Sequence, residues 1–398
     1  MKMKELSRVA SKVQASTTLA VDALAKQMKA DGHDVIGFGT GEPDFDTPDN
    51  IKEAAIKAIR DGQTKYTPAS GLPELKKAAA ARLLADTGVA YDASQIVVNS
   101  GAKHMIFAVL MTLLNPGDEV IVPAPYWVTY TESVQMAGGV PVCIRAEERA
   151  GFKITAEQLE TAITPKTKLV IINNPSNPTG MLYTKDDLEK IAAVCVKHDI
   201  YIISDEIYYK LVYGDNKFVS IASLGEDVKE RTIIVNGVSK SYAMTGWRIG
   251  FSASNAEIAK VMSNYLSHST HGPATMSQFA AIEALNGPQD TVEEMRRVFE
   301  QRRDYLVERV NSIPGISCIK PEGAFYVMIN ISELKGRTLG GRVINDGDDF
   351  SFALLEGAKV AIVSCNGFGD PDFVRMTYAA SLEDITEGMD RIEKFLSE

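Results

Sequence analysis

Apolar residues recur with two different periods along this chain. From Asp49 onward Ile51, Ala54, Ala55, Ala58 and Ile59 keep the helical stripe until Gly62, so a helix is predicted here, with Thr47 as its N-cap and Pro48 behind it. Short continuous apolar runs follow at 95–98, 119–122, 140–145, 168–172, 201–204, 232–235 and 248–253. Their length suits buried strands, and helical stretches such as 102–114 separate several of them. Thr184 with Asp187 three residues later marks another helix start. Strands alternating with helices predict crossover units and a largely parallel sheet. The pattern changes after Ala274 to longer helices, including a highly charged stretch at 291–310, and then to strand-like runs near 324–329, 360–363 and 374–378. The expected architecture is therefore α/β: a large domain over 48–285 with a mostly parallel seven-stranded sheet flanked by helices, and a smaller α+β domain made of 1–47 and 286–398.

Composition narrows the class of function. At 398 residues the chain can hold two to three domains. A net charge of −10 disfavours a broad nucleic-acid or anionic-membrane surface, and no basic run supplies a local one. The four cysteines, Cys143, Cys195, Cys318 and Cys365, lie far apart and form no C-x-x-C pair, which argues against a disulfide framework or a thiolate zinc site. His268 and His271 are three apart but have no acidic or thiol partner at ligand spacing, so no metal is expected. Gly39-Thr40-Gly41 lacks the rest of a dinucleotide fingerprint. Residues 1–14 carry four cations without an apolar core, and the apolar run 106–114 is far short of a membrane span, so the expected setting is the cytoplasm.

The most informative segment is 237–250, Gly237-Val238-Ser239-Lys240 through Gly246-Trp247-Arg248-Ile249-Gly250, which links two predicted strands. Lysine acts as a nucleophile only when its pKa is lowered, and arginine offers a planar fork suited to phosphate. Together they could hold a phosphorylated aldehyde cofactor, although Lys240 alone would read as a solvated surface lysine.

This segment resembles the lysine motif of the class I aminotransferases, pyridoxal phosphate enzymes of fold type I. The likeness continues through Gly41-Glu42-Pro43-Asp44, Lys65-Tyr66-Thr67, Asn174-Pro175-Ser176-Asn177-Pro178, Ser204-Asp205-Glu206-Ile207-Tyr208 and Val374-Arg375. Within the family the chain is most similar to bacterial aspartate aminotransferases of the subgroup that includes prephenate aminotransferases. The resemblance implies that Lys240 binds the cofactor aldehyde and later carries the substrate's α-proton, with Asp205 on the pyridinium nitrogen and Asn177 and Tyr208 on the ring phenolate oxygen. It implies that Gly101, Ala102, Lys103, Ser239 and Arg248 hold the phosphate, that Trp127 stacks on the ring, and that Tyr66 reaches the phosphate of a neighbouring subunit. For substrate it implies Gly41, Trp127, Asn177 and Arg375, with Lys103 or Lys12 meeting a distal carboxylate. Relatives often carry a serine three residues before the lysine, where this chain has Gly237, which leaves open which hydroxyl meets the phosphate.

Taken singly, these residues have ordinary readings: Asp205 as a strand-end turn cap, Asn177 as Asn-Pro turn chemistry, Gly101-Ala102-Lys103 as a strand-to-helix turn, Trp127 and Tyr66 as core aromatics, Arg375 as a surface residue. The expected activity is transfer of an amino group from L-aspartate to 2-oxoglutarate in a homodimer with shared active sites, with prephenate as a possible further substrate. Alternatives are an aromatic or alanine aminotransferase, a carbon–sulfur β-lyase on the same fold, or a non-catalytic protein that kept the pocket. The last would be expected to lack Lys240, Asp205 or Arg375.

Overall fold

A computed structural model describes residues 4–13 and 18–397, the side chains of 12, 18–20 and 22 excepted. Seven strands form the main sheet in the order Ile96–Asn99, Gly250–Ala253, Thr232–Gly237, Tyr201–Asp205, Thr167–Asn173, Glu119–Ala124, Val140–Arg145. All run parallel except Gly250–Ala253, which is antiparallel to both neighbours. The middles of the central strands are apolar on both sides because helices cover both faces, and polar residues such as Asn173 and Asp205 stand at their ends. On one face Val120, Val122, Ile171, Ile203 and Val235 pack under the helices Gly101–Leu113, Thr129–Met136 and Ala256–His268. Residues of opposite parity, Ile121, Val170, Ile172 and Ile202, meet Ala156–Ala162 and Lys185–Lys197 on the other. The same side continues beneath Asp49–Arg60, Pro73–Thr87 and Thr275–Asn286, through Ile96, Val98, Ile234 and Phe251.

A second layer pair is built from the C-terminal third. Tyr326–Asn330, Phe373–Thr377 and Val363–Ser364 form an antiparallel sheet. The charged stretch is the helix Asp290–Ser312, whose stripe of Val292, Met295, Phe299, Leu306 and Val310 is buried while most of its charges face outward. Gly347–Ala358 and Leu382–Ser397 complete this core. The N-terminal segment joins it: Ile36–Gly37 pairs in parallel with Val360–Ala361, and Val21 and Ala25 pack on Leu355.

Two sequence expectations are corrected. Thr47 does not cap the helix, which begins at Asp49 after Pro48; its hydroxyl instead donates to the carbonyl of Ala243 at 2.6 Å and accepts from Trp247 Nε1 at 3.0 Å. The last strand starts at Gly250 rather than 248, because Arg248 takes a left-handed conformation with φ 55°. The capping box at Thr184 and Asp187 forms as expected, with both reciprocal bonds present.

Candidate active site

Parallel strands bring their carboxyl ends to one edge, where loops leave a crevice. A cleft of about 450 Å³ lies at this edge and takes side chains from both cores. Asp205 ends its strand and is 3% exposed. Its Oδ2 accepts a 2.6 Å hydrogen bond from the hydroxyl of Tyr130, and Oδ1 accepts from the backbone N–H of Ile207 at 3.2 Å. Burial pushes this carboxyl up to about 6, against the pull of those two donors and of Lys240.

Lys240 follows the neighbouring strand Thr232–Gly237 and donates to the carbonyl of Gly41. Burial lowers its amine to about 8; Glu42 and Asp205 favour the charged form, while Arg375 and Arg248 oppose it. Glycine at 41 is required by packing, since a Cβ there would stand 2.7 Å from the Tyr326 hydroxyl. That hydroxyl lies 3.0 Å from the hydroxyl of Tyr208.

Arg375 comes from the second core and is 5% exposed. Its Nη2 donates to Gly39 O at 2.8 Å and Nη1 to Asn177 Oδ1 at 3.0 Å, and its guanidinium lies 4.4 Å from the ring centre of Tyr326. Among the described residues the Nε of this buried side chain has no hydrogen-bond partner. A cation buried with a free donor is set to receive an anion. Asn177, its amide oxygen engaged, keeps Nδ2 as a donor.

The helix Gly101–Leu113, whose Ala102 and Lys103 line the cleft, begins after Ser100, whose side chain makes no capping bond. The first-turn N–H groups of a helix are free donors carrying the positive end of the dipole. Arg248 reaches across to Ser100 O at 3.4 Å and Thr245 O at 2.9 Å, and a side chain at Gly101 would strike its guanidinium. Lys103 Nζ lies 5.0 Å from the Trp127 ring centre; burial, then Arg248, lowers its pKa. Ser239 lines the cleft, as does Thr245, whose hydroxyl is engaged by Glu42, whereas a Cβ at Gly237 would meet Ile249 O at 2.8 Å.

The cleft thus gathers Gly41, Ala102, Lys103, Trp127, Asn177, Asp205, Tyr208, Ser239, Lys240, Arg248 and Arg375, with Gly101 against Arg248 at its rim. Tyr66 stands apart: it is 96% exposed and makes an edge contact with His271, whose Nε2 lies 3.0 Å from Thr67 O. The Lys12 side chain lies outside the described residues. Sequence reasoning missed Tyr130, Tyr326, the Gly39 carbonyl and Asn173, which donates to Asp205 O at 3.0 Å. Asn173 carries a readable signal, a polar residue closing an apolar strand as Asp205 does. Tyr130 and Tyr326 carry none: Tyr130 stands between two threonines and Tyr326 in an apolar run, and neither setting shows where the hydroxyl ends.

The model of the family "Aminotransferase class I and II" matches residues 33–392. The chain belongs to this family. It is 52% identical over 397 residues to an aspartate aminotransferase of Bacillus sp. (strain YM-2), covering 99% of this chain and all of that one. Among solved structures, the aspartate aminotransferase from Rhizobium meliloti superposes with a TM-score of 0.96 at 42% identity, over 99% of each chain. That from Thermus thermophilus with maleate gives 0.93 at 38% identity, over 99% of this chain and all of that one. Class I aminotransferases use pyridoxal 5'-phosphate. The cleft fits that group chemically: an uncapped helix start and an arginine for a phosphate, a buried carboxylate for a protonated ring nitrogen, and an amine of lowered pKa for an aldehyde.

Proposed function

We propose that this aminotransferase moves the amino group of L-aspartate to 2-oxoglutarate, yielding oxaloacetate and L-glutamate. The observation that carries the reading is one cleft in which Lys240, Asp205, Arg248 and Arg375 converge while Lys103 adds a further cation. Gly101, Ala102, Ser239 and Arg248 would hold the cofactor phosphate, Asp205 the ring nitrogen, and Asn177 and Tyr208 the ring oxygen, with Trp127 beside the ring. When bound, pyridoxal phosphate supplies a reactive aldehyde and a ring that stores the electrons left behind by the departing α-proton.

The chain's own groups do the rest. Arg375, which lines the cleft, clamps the α-carboxylate with its guanidinium, which fixes the amino acid in one orientation. Lys240 Nζ, lowered to about 8, is close enough to neutrality to take the α-proton and return it as general base and acid. The Gly41 carbonyl holds that nitrogen in place between transfers. Asp205, stabilised in its charged form by Tyr130 and Ile207 N–H, keeps a positive ring nitrogen favourable. Lys103 meets the distal carboxylate of a dicarboxylic substrate; maleate, with which the Thermus thermophilus relative was solved, is itself a dicarboxylate.

The division into a large domain at 48–285 and a small one at 1–47 with 286–398 belongs to this reading, as does a cytoplasmic setting; no described helix is long and apolar enough to cross a membrane. So does a homodimer in which the exposed Tyr66 completes the partner's phosphate site.

The test is borohydride reduction of the yellow holoenzyme followed by peptide mapping, with the cofactor expected on Lys240. A label elsewhere, no bound cofactor after reconstitution, or release of ammonia and pyruvate from thioether amino acids in place of transamination would overturn the reading.

A further inference from the structure

The segment at 39–47 touches almost every element of the site. Its Gly39 carbonyl accepts from Arg375, its Gly41 carbonyl from Lys240, Glu42 Oε2 from the Thr245 hydroxyl at 2.7 Å, and Asp44 Oδ1 from Arg302 at 2.8 Å. Thr47 closes it with the two hydrogen bonds to Ala243 and Trp247. The loop it grips is unusual. Between Lys240 and Gly250 two non-glycine residues, Ala243 at φ 51° and Arg248 at φ 55°, hold left-handed conformations. Each is disfavoured for an L residue and persists only where surrounding contacts enforce it. The Thr47 hydroxyl bonds the carbonyl of the first and the indole of the residue preceding the second.

We propose that Thr47 is a positioning residue for the reaction, its hydroxyl locking the 240–248 loop so that Lys240 stays buried against Gly41 and Arg248 stays at the start of the Gly101–Leu113 helix. The hydroxyl acts at both ends of the loop at once, as acceptor from Trp247 Nε1 and as donor to Ala243 O. Valine has nearly the shape of threonine but can do neither, while serine can do both.

This inference rests on the proposed roles of Lys240 and Arg248, yet its first readout needs no cofactor. The charged groups facing Lys240 are Glu42, Asp205, Arg248 and Arg375, and burial is the main reason its amine is easily deprotonated. A loosened loop lets water reach the ammonium, so in the cofactor-free chain the pH midpoint for acylation of Lys240 by acetic anhydride, read by mass spectrometry, rises toward the ordinary lysine range in Thr47→Val and stays at the wild-type value in Thr47→Ser. With cofactor, Thr47→Val retains pyridoxal phosphate about fivefold less tightly, the scale of one lost hydrogen bond, and Thr47→Ser matches wild type. Thermal melting of all three chains separates this from general destabilisation, which lowers the melting point without moving the Lys240 midpoint. The proposal is overturned if Thr47→Val keeps the wild-type midpoint, or if Thr47→Ser shifts it as far as valine does. If Lys240 shifts as described but the wild-type chain binds no pyridoxal phosphate, the loop lock stands and the functional reading fails.

Discussion

The hydroxyl of Tyr130 lies 2.6 Å from Oδ2 of Asp205 and is one of only two hydrogen-bond donors given to that buried carboxylate side chain among the described residues. Tyr130 starts from the helix Thr129–Met136, on a different crossover from Asp205, so the bond ties two βα units together at the floor of the cleft. It favours the charged carboxylate that burial alone would neutralise.

Tyr130→Phe therefore removes a hydrogen bond to a charged group, typically worth about 1.5–3 kcal/mol, and leaves Asp205 less ready to carry its charge. Steady-state kcat/KM for aspartate should fall by about tenfold to a hundredfold, with folding intact by circular dichroism. Unchanged kcat/KM would mean that the Ile207 N–H alone suffices.

Asp205 also makes a pH prediction for the cofactor-free protein. Its folded pKa, about 6, lies above the ordinary 3.8, so the folded state holds the proton more tightly than the unfolded chain does. The stabilisation is complete below the ordinary value, shrinks as pH rises, and is gone above about 6. Asp205→Asn removes this titration. Urea denaturation between pH 4 and 7 should show wild type losing on the order of 2–3 kcal/mol relative to the variant; parallel pH curves would contradict it.

For Arg375→Leu, the clamp on the α-carboxylate disappears along with the bonds to Gly39 and Asn177. Truncating one partner of a buried charge pair costs about 2–5 kcal/mol, so kcat/KM should drop by about a hundredfold or more, mostly through KM. Cofactor absorbance should persist. Wild-type kcat/KM toward amino acids would place the carboxylate elsewhere.

Lys103→Ala separates two roles of a cation at a helix start. As the partner of a distal carboxylate, its loss should erase about tenfold of the preference for aspartate over alanine while leaving alanine turnover near wild type. As a mere counter-charge to phosphate, its loss would weaken cofactor retention and leave the preference unaltered. Comparing the two substrates and the cofactor dissociation constant decides between them.

Sequence alone determined the layers and much of the chemistry. Apolar runs of strand length announce a buried parallel sheet because strands covered on both faces can be apolar on both, and 232–235 lies within Thr232–Gly237, buried at every position. The loop carrying Lys240 and Arg248 was readable because it places scarce residue types in a specific local order. What the tertiary structure decided is everything that depends on distant parts of the chain meeting. No local pattern places Gly250–Ala253 between Ile96–Asn99 and Thr232–Gly237, since strand order is set by crossover packing rather than by the strands themselves. Thr47 and Pro48 made a plausible helix start, yet the hydroxyl found partners 196 and 200 residues away, the half-buried carbonyl of Ala243 and indole of Trp247. Tyr130 and Tyr326 are buried as core aromatics are, but their hydroxyls end on Asp205 and beside Gly41. A tyrosine's ring is placed by packing; where its hydroxyl points is fixed only when distant parts of the chain, another βα unit for Tyr130 and the segment at Gly41 for Tyr326, arrive beside it.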